Sequence, residues 1–313
     1  MRVVTLAEIQ ACLPVADAIL AIEEGFMAYS RGEVHSPPVQ QFIFEENEGD
    51  CCIKSAWTAQ SDYFAVKVSS GFYQNPRRGL ASNHGLILLL SATTGQPVAL
   101  LNDEGWLTAV RTAIAGRIAA RLLMPARVHA IGIYGTGLQA QLQLRQLLEI
   151  TDCRDVLVWG RSAQSLAAMR EAMRDADIHF VATTRAEQVA REANLIVTAT
   201  PSRAPLINDD WVSPGTHITA VGADGAGKQE LALTLPGKAA LIAVDSRKQC
   251  SQYGEISGAI AAGLIGQERL TELGTLLAGP AWVRGQDDIT LADLTGLGIQ
   301  DLQIARSLMR ALP

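Results

Sequence analysis

No stretch of the 313-residue chain reaches about 18 uninterrupted apolar residues, so a membrane-spanning helix is not expected. The N-terminal apolar stretch contains Glu8 and Asp17, which makes it a poor secretory signal. No basic run appears and the net charge is −6, which argues against a nucleic-acid partner. Cysteine is scarce, odd in number and without metal-ligand spacing: Cys12, Cys51, Cys52, Cys153 and Cys250. That usage fits a reduced, cytoplasmic protein better than a disulfide-stapled one. The five histidines form no His-x-x-x-His or similar pair, so no protein-held metal is expected. Charged residues are 19% against 48% hydrophobic, which describes a globular protein with a substantial core.

What is present is led by residues 127–140, RVHAIGIYGTGLQA. The apolar run 128–134, interrupted only by His129, reads as a buried strand. It is followed by Gly135-Thr136-Gly137-Leu138-Gln139-Ala140, a G-x-G-x-x-A turn, and then by a helical stretch. Strand, glycine turn and helix stand in the order of a dinucleotide-binding fingerprint. Gly135 permits the tight turn, Gly137 lets the backbone approach a pyrophosphate, and Ala140 lets the helix pack on its strand. The helix N-terminus offers N–H groups and the positive end of a dipole to the phosphates. The alternative is an ordinary turn between a strand and a helix, but further alternating units follow.

Residues 5–31 read as helical, with Thr5-Leu-Ala-Glu8 as a capping box and a second helix over 14–29. Between 39 and 101 the pattern turns to strands at 41–44, 51–57, 64–69, 85–91 and 97–102, a meander with no intervening helix. A strong helix at 108–123 ends at Pro125. Beyond it, strands are predicted at 155–159, 178–182, 195–199, 217–221 and 241–244, with helices at 162–174 and 185–192. The expected fold is α/β: a Rossmann, doubly wound nucleotide domain over 122–289, and an α+β domain over 1–121 to which 290–313 return.

Strand 155–159 ends in Gly160-Arg161-Ser162, where an NAD-preferring site usually has an acid. Its absence, with an arginine that can fork onto a 2′-phosphate, points to NADP(H) over NAD(H), the latter remaining possible. Otherwise Arg161 is a solvated loop residue and Ser162 a helix cap. The candidate nucleotide contacts are Gly135, Thr136, Gly137, Leu138, Gln139, Arg161, Ser162, Thr200 and Val221.

Three charged residues lie in otherwise apolar or small surroundings: Lys67 in FAVKVSSG, Arg111 in WLTAVRTAIAG, and Asp224 after ITAVGAD. Each has a plain alternative. A strand lysine usually faces solvent, a helical arginine usually pairs with a nearby carboxylate, and an aspartate after a strand often caps the next turn.

These residues sit in longer matching segments: KVSSGFYQNP, GLILLLSATTGQPVALLN, LTAVRTA, GTGLQA, ATPSRAPLI, and WVSPGTHITAVGAD followed by Gly227-Lys228-Gln-Glu-Leu231. In order and spacing the chain resembles the ornithine cyclodeaminase/μ-crystallin family over nearly its full length. The resemblance implies a homodimer whose N-terminal strands form the dimerisation and substrate domain. It implies that Lys67 and Arg111 bind a substrate α-carboxylate. It gives Asp224, as catalytic and substrate-binding acid, the role of contacting the side-chain amine, with Lys67 also counted as catalytic. Two departures stand out. Gln40 occupies a place where the family commonly has an arginine, and 51–55 lacks the glutamate of the ornithine enzymes. The leading expectation is therefore an NAD(P)-dependent reductase of a small amino or imino acid, of the Δ1-pyrroline-2-carboxylate type. An ornithine cyclodeaminase-type lyase is the alternative, and a non-catalytic NADPH- and ligand-binding protein is the third.

Overall fold

The computed structural model describes residues 1–313, apart from the side chain of Pro76. The chain forms two compact units: 1–111 with 297–313, and 112–296. The boundary expected at 121/122 thus falls ten residues earlier, inside the continuous helix Trp106–Leu123. The boundary expected at 289/290 falls later, because Thr290–Asp293 is a strand of the second unit's sheet and not part of the returning tail.

The first unit is built on a seven-stranded sheet. The predicted meander is present as Gln40–Phe44, Gly49–Thr58, Tyr63–Phe72, Asn83–Ser91 and Pro97–Asn102, joined antiparallel. Two strands escaped the sequence reading: Arg2–Thr5 pairs parallel with Pro97–Asn102, and the short Val34–His35 pairs antiparallel with Gly49–Thr58. Thr5 ends the first of these and also caps the helix Leu6–Cys12 through the expected box with Glu8. The second N-terminal helix spans Val15–Ser30.

Strand alternation sorts the sheet into two faces. Ala56, Ala65, Lys67, Ile87, Leu89, Ala99 and Leu101 are buried on one face, which the C-terminal helix Gly298–Ala311 covers. Two glycines allow close approach. A Cβ on Gly298 would lie 2.7 Å from the Ser55 carbonyl, and one on Gly25 would lie 3.1 Å from both Ile299 and Gln303. The helix start is therefore pressed onto the strand Gly49–Thr58. Ile53, Val66, Val68, Leu86, Leu88 and Leu100 lie on the opposite face and are only half-buried.

The second unit holds an eight-stranded parallel sheet. Its spatial order is His179–Thr183, Asp155–Trp159, Ile131–Tyr134, Leu195–Thr198, His217–Ala220, Thr290–Asp293, Leu241–Val244 and Leu270–Glu272. The chain starts at Ile131–Tyr134 and winds outward in both directions, which makes this a Rossmann fold with the switch point beside that first strand. The strand begins at Ile131 rather than 128 and is buried at all four positions. Sheet and helices close over a core that includes Tyr134, Ile196, Ile218, Ile242 and Leu291. Among the described residues no helix is long and apolar enough to cross a membrane.

Candidate active site

Lys67 lies on the covered face of the first sheet and is 1% exposed, so the solvent-face alternative does not hold for it. Arg111 projects from the helix Trp106–Leu123 and is 5% exposed. The two converge on one carboxylate. Asp301 of the C-terminal helix lies 3.2 Å from Lys67 Nζ through Oδ2, and its Oδ1 accepts from Arg111 Nε at 3.0 Å. Arg111 Nη1 donates to Gln300 Oε1 at 2.9 Å, and Gln300 also accepts from the Leu297 N–H.

Burial raises the energy of Asp301's charge, but Lys67, Arg111 and Lys54 outweigh it and hold the carboxyl below the ordinary aspartate value. The Lys67 ammonium is brought down to about 7, first by burial and then by the Arg111 charge, with Asp301 opposing. Lys67 can thus carry or release a proton near neutral pH. Lys54 is 6% exposed and stands directly across the strand pair from Lys67. Asp103 is the other buried acid of this region. It accepts from the Leu107 N–H at 2.7 Å at the start of the Arg111 helix, and burial pushes its carboxyl up.

Asp301, Gln300, Lys54 and Asp103 were not singled out from the sequence. A signal for Asp301 existed: two cations in apolar elements need a buried acid, and Asp301 lies in the first turn of the helix expected to return to this domain.

Asp224 belongs to the second unit, after the strand His217–Ala220. Its Oδ1 accepts from Lys228 Nζ at 2.6 Å, and its side chain is half exposed.

The glycine turn of the second unit fits a dinucleotide. Gly135 has φ +121°, and a Cβ there would lie 2.8 Å from the Ala199 carbonyl. A Cβ on Gly137 would meet nothing within 4 Å, so the space before the helix Leu138–Leu148 is open. No side chain caps that helix, which leaves its first N–H groups to a phosphate. The Gln139 side-chain nitrogen is buried and lacks a partner among the described residues. Thr136 packs where a Cβ on Gly160 would intrude, at 2.7 Å. Leu138 is exposed beside them.

At the ribose-reading end, Arg161 is exposed, and Ser162 caps the helix Ala163–Ala172 by accepting from the Ser165 N–H. Arg185 is exposed after the adjacent strand, whose Thr183 pairs with Trp159. Thr200 and Val221 follow neighbouring strands. Thr200 donates its N–H and hydroxyl to Glu230 at 2.8 and 2.6 Å, and the Val221 N–H reaches the Thr198 carbonyl. Glu230, given no role in the sequence beyond its place in the Gly227–Leu231 segment, accepts from the Gly222 N–H as well, and burial drives its carboxyl up to about 7.

Comparison with known proteins bears on this arrangement. The profile of the ornithine cyclodeaminase/mu-crystallin family matches residues 1–311. The chain belongs to that family. Three solved structures resemble this family member along its length. An archaeal alanine dehydrogenase dimer with bound NAD is 34% identical, with a TM-score of 0.90, covering 99% of this chain and 95% of its own. The Δ1-pyrroline-2-carboxylate reductase of Thermococcus litoralis, in complex with NADH and L-proline, is 26% identical with a TM-score of 0.93, covering 99% and 97%. The iminosuccinate reductase of Paracoccus denitrificans, in complex with NAD+, is 29% identical with a TM-score of 0.89, covering 99% and 96%.

Proposed function

We propose that this family member is an NAD(P)-dependent oxidoreductase acting at C2 of a small amino or imino acid, as a Δ1-pyrroline-2-carboxylate-type reductase does. The observation that carries the reading is the convergence of buried Lys67 and Arg111 on Asp301. Asp301 fixes both cations in place while leaving donors of each for a second carboxylate. Alanine, pyrroline-2-carboxylate and iminosuccinate, named for the three similar enzymes, all carry a carboxylate beside the carbon bonded to nitrogen.

When bound, the dihydronicotinamide supplies the hydride for C2. Lys67 and Arg111 hold the α-carboxylate and so orient the adjacent C=N carbon. Lys67, close to half-protonated at neutral pH, stabilises charge and can pass a proton to the product nitrogen. Asp224, whose Oδ1 accepts from Lys228 Nζ, is assigned the second acid–base role. Gly135, Thr136, Gly137, Leu138 and Gln139 hold the pyrophosphate, and Thr200 and Val221 border the nucleotide beyond it. Arg161 and Ser162 read the ribose. The missing acid and the exposed arginines there support NADP(H) as the preferred form. The half-buried apolar face around Val66, Val68, Leu86 and Leu88 supports a homodimer, to be read from its mass in solution.

Nicotinamide absorbance with Δ1-pyrroline-2-carboxylate and NADPH or NADH tests the assignment. Oxidation that Lys67→Met and Arg111→Met each reduce at least about 100-fold supports it. Absence of hydride transfer with every cyclic and linear imino acid refutes it. The lyase reading draws its support from Asp224, a half-exposed carboxylate able to receive a side-chain amine. Proline and ammonia from ornithine, without net change in nucleotide, would select it.

A further inference from the structure

Glu230 has no part in the assignment above, yet it joins two segments that border the nucleotide there. It lies on the short strand Gln229–Leu231 of the second unit and is fully buried. Its Oε1 accepts from the Thr200 N–H at 2.8 Å and the Thr200 hydroxyl at 2.6 Å, and its Oε2 accepts from the Gly222 N–H at 3.1 Å. One carboxyl group thus ties together the segments that follow strands Leu195–Thr198 and His217–Ala220. A Cβ on Gly222 would lie 2.2 Å from Oε2, so the approach requires glycine. These two strands come next beyond Ile131–Tyr134, on the side away from Asp155–Trp159. With the adenosine ribose at the end of Asp155–Trp159, the nicotinamide half of a dinucleotide extends over the strands that Glu230 joins.

All three groups that donate to Glu230 are neutral. Its own N–H and that of Leu231 are held by Glu255, which is buried as well. Behind Glu255 lie two more buried acids. Asp293 accepts from the Ile256 N–H, and Asp245 accepts from the Thr295 hydroxyl and the Cys250 thiol. The charged residues of the flanking segments are Asp224 and Lys228, which pair with each other, and exposed Arg203. A buried carboxyl group with neutral donors and acidic neighbours retains its proton unless a positive charge comes near. Burial places Glu230 at about 7, so one such charge decides its state at neutral pH.

We propose that Glu230 senses the redox state of the nucleotide, keeping its proton beside the neutral reduced ring and releasing it beside the cationic oxidised ring. The proposal rests on the nucleotide assignment above and not on the choice of substrate. The O–H bond of Glu230 breaks, its electron pair stays on the carboxylate oxygen, and the proton passes to solvent. Glu230 itself is neither oxidised nor reduced. A unit charge within about 10 Å, at an effective dielectric constant of about 20, changes such a proton equilibrium about tenfold. Ionisation also makes the bonds from Thr200 and Gly222 charge-assisted, which tightens the tie between the two segments around the oxidised nucleotide.

The test is calorimetric binding of NADP+ and of NADPH, without substrate, from pH 6 to pH 8.5 and in buffers of different ionisation enthalpy. The 2′-phosphate is common to both nucleotides and cancels in the ratio of their Kd values. The ratio Kd(NADP+)/Kd(NADPH) should fall about 3- to 10-fold as pH rises over this range, with up to about one proton released per NADP+ bound near pH 7. Glu230→Gln should flatten the ratio and abolish the release. Lys67→Met, which removes the other group that titrates near neutrality, should leave both in place. Thr200→Val deletes the 2.6 Å donor that favours the ionised carboxylate, so it should move the dependence to higher pH. This variant decides the matter if Glu230→Gln fails to fold, and an unmoved midpoint overturns the proposal. A ratio independent of pH in the native protein, or a dependence that survives Glu230→Gln or vanishes in Lys67→Met, also overturns it. These results leave the nucleotide assignment standing, whereas failure of both nucleotides to bind overturns that assignment and this proposal together.

Discussion

Replacing Asp301 by asparagine removes one negative charge from between two buried cations and little else. The carboxylate lies 3.2 Å from Lys67 Nζ and 3.0 Å from Arg111 Nε, with all three side chains nearly inaccessible. Removing one partner of a buried ion pair costs about 3–5 kcal/mol, against a total stability of about 5–15 kcal/mol. The loss should depend on pH, because Lys67 can discharge whereas Arg111 cannot. Lys67 already sits at about 7 with Asp301 in place, far below its ordinary 10.5, and Asp301 is one of the groups holding it up. In the variant it falls further. The unfolded chain binds the Lys67 proton more tightly, so the Lys67 contribution to stability rises with pH between about 7 and 10.5 and is least favourable below 7. The carboxyl of Asp301 lies below the ordinary aspartate value, so its contribution is lost only as pH falls through that depressed value. At both pH 6 and pH 9 it is therefore fully present in the native protein. The deficit of Asp301→Asn should be about 3–5 kcal/mol at pH 6 and roughly half that at pH 9, where Lys67 is discharged and no longer needs the carboxylate. Urea unfolding at the two pH values measures it. Asp301→Asn combined with Lys67→Met should regain at least about 1 kcal/mol at pH 6. A variant as stable as the native protein at pH 6, or a deficit equal at both pH values with no recovery in the double variant, would refute Asp301 as their counter-ion.

Other predictions concern the nucleotide unit. Arg161→Ala should raise KM for NADPH about tenfold and change that for NADH by less than about twofold; equal effects on both would remove the 2′-phosphate assignment. Gly135→Ala forces an alanine to φ +121° against the Ala199 carbonyl, at a cost of about 1–3 kcal/mol, and should abolish the fluorescence enhancement of bound NADH or NADPH. Glu230 has a folded value near 7 against an ordinary 4.5, so the folded state holds its proton more tightly and its contribution to stability declines as pH rises from about 4.5 to 7. Glu230→Gln should flatten that decline, by about 3 kcal/mol at most, in urea titrations at pH 5 and 7.5. Glu230→Ala should weaken nucleotide binding by leaving the Thr200 and Gly222 donors unmet.

The Rossmann unit was legible because its signals are local: a short apolar run, two glycines and a helix follow one another within a few turns. Strands such as Leu270–Glu272 and Thr290–Asp293 were not, since three or four residues carry too little periodicity to stand out. Arg2–Thr5 was hidden by the helix-capping signal that Thr5 also carries. Lys67 and Arg111 could be selected as charges in apolar company, but their common partner lies 190 residues from Arg111, and no periodicity reports a pairing across that span. Lys54 required a register. Shifting one strand by a residue would have placed it on the opposite face, and the turn at 59–62 alone does not specify which. Glu230 reads as one acid in a loop segment until the fold brings it to the ends of two strands.

Because residues 297–313 complete the unit that begins at Met1, synthesis delivers its parts in an unusual order. Lys54, Lys67 and Arg111 leave the ribosome early, and the carboxylate that makes their burial tolerable emerges only with the last helix, at a few residues per second. Until then the N-terminal sheet would close over Lys67 and Arg111 without the carboxylate that pairs with both. The Rossmann segment, contiguous from 112 to 296, meets no such delay. It is the N-terminal third of the nascent chain that waits, and a message truncated just before codon 298 yields a nucleotide unit attached to a sheet that lacks its covering helix.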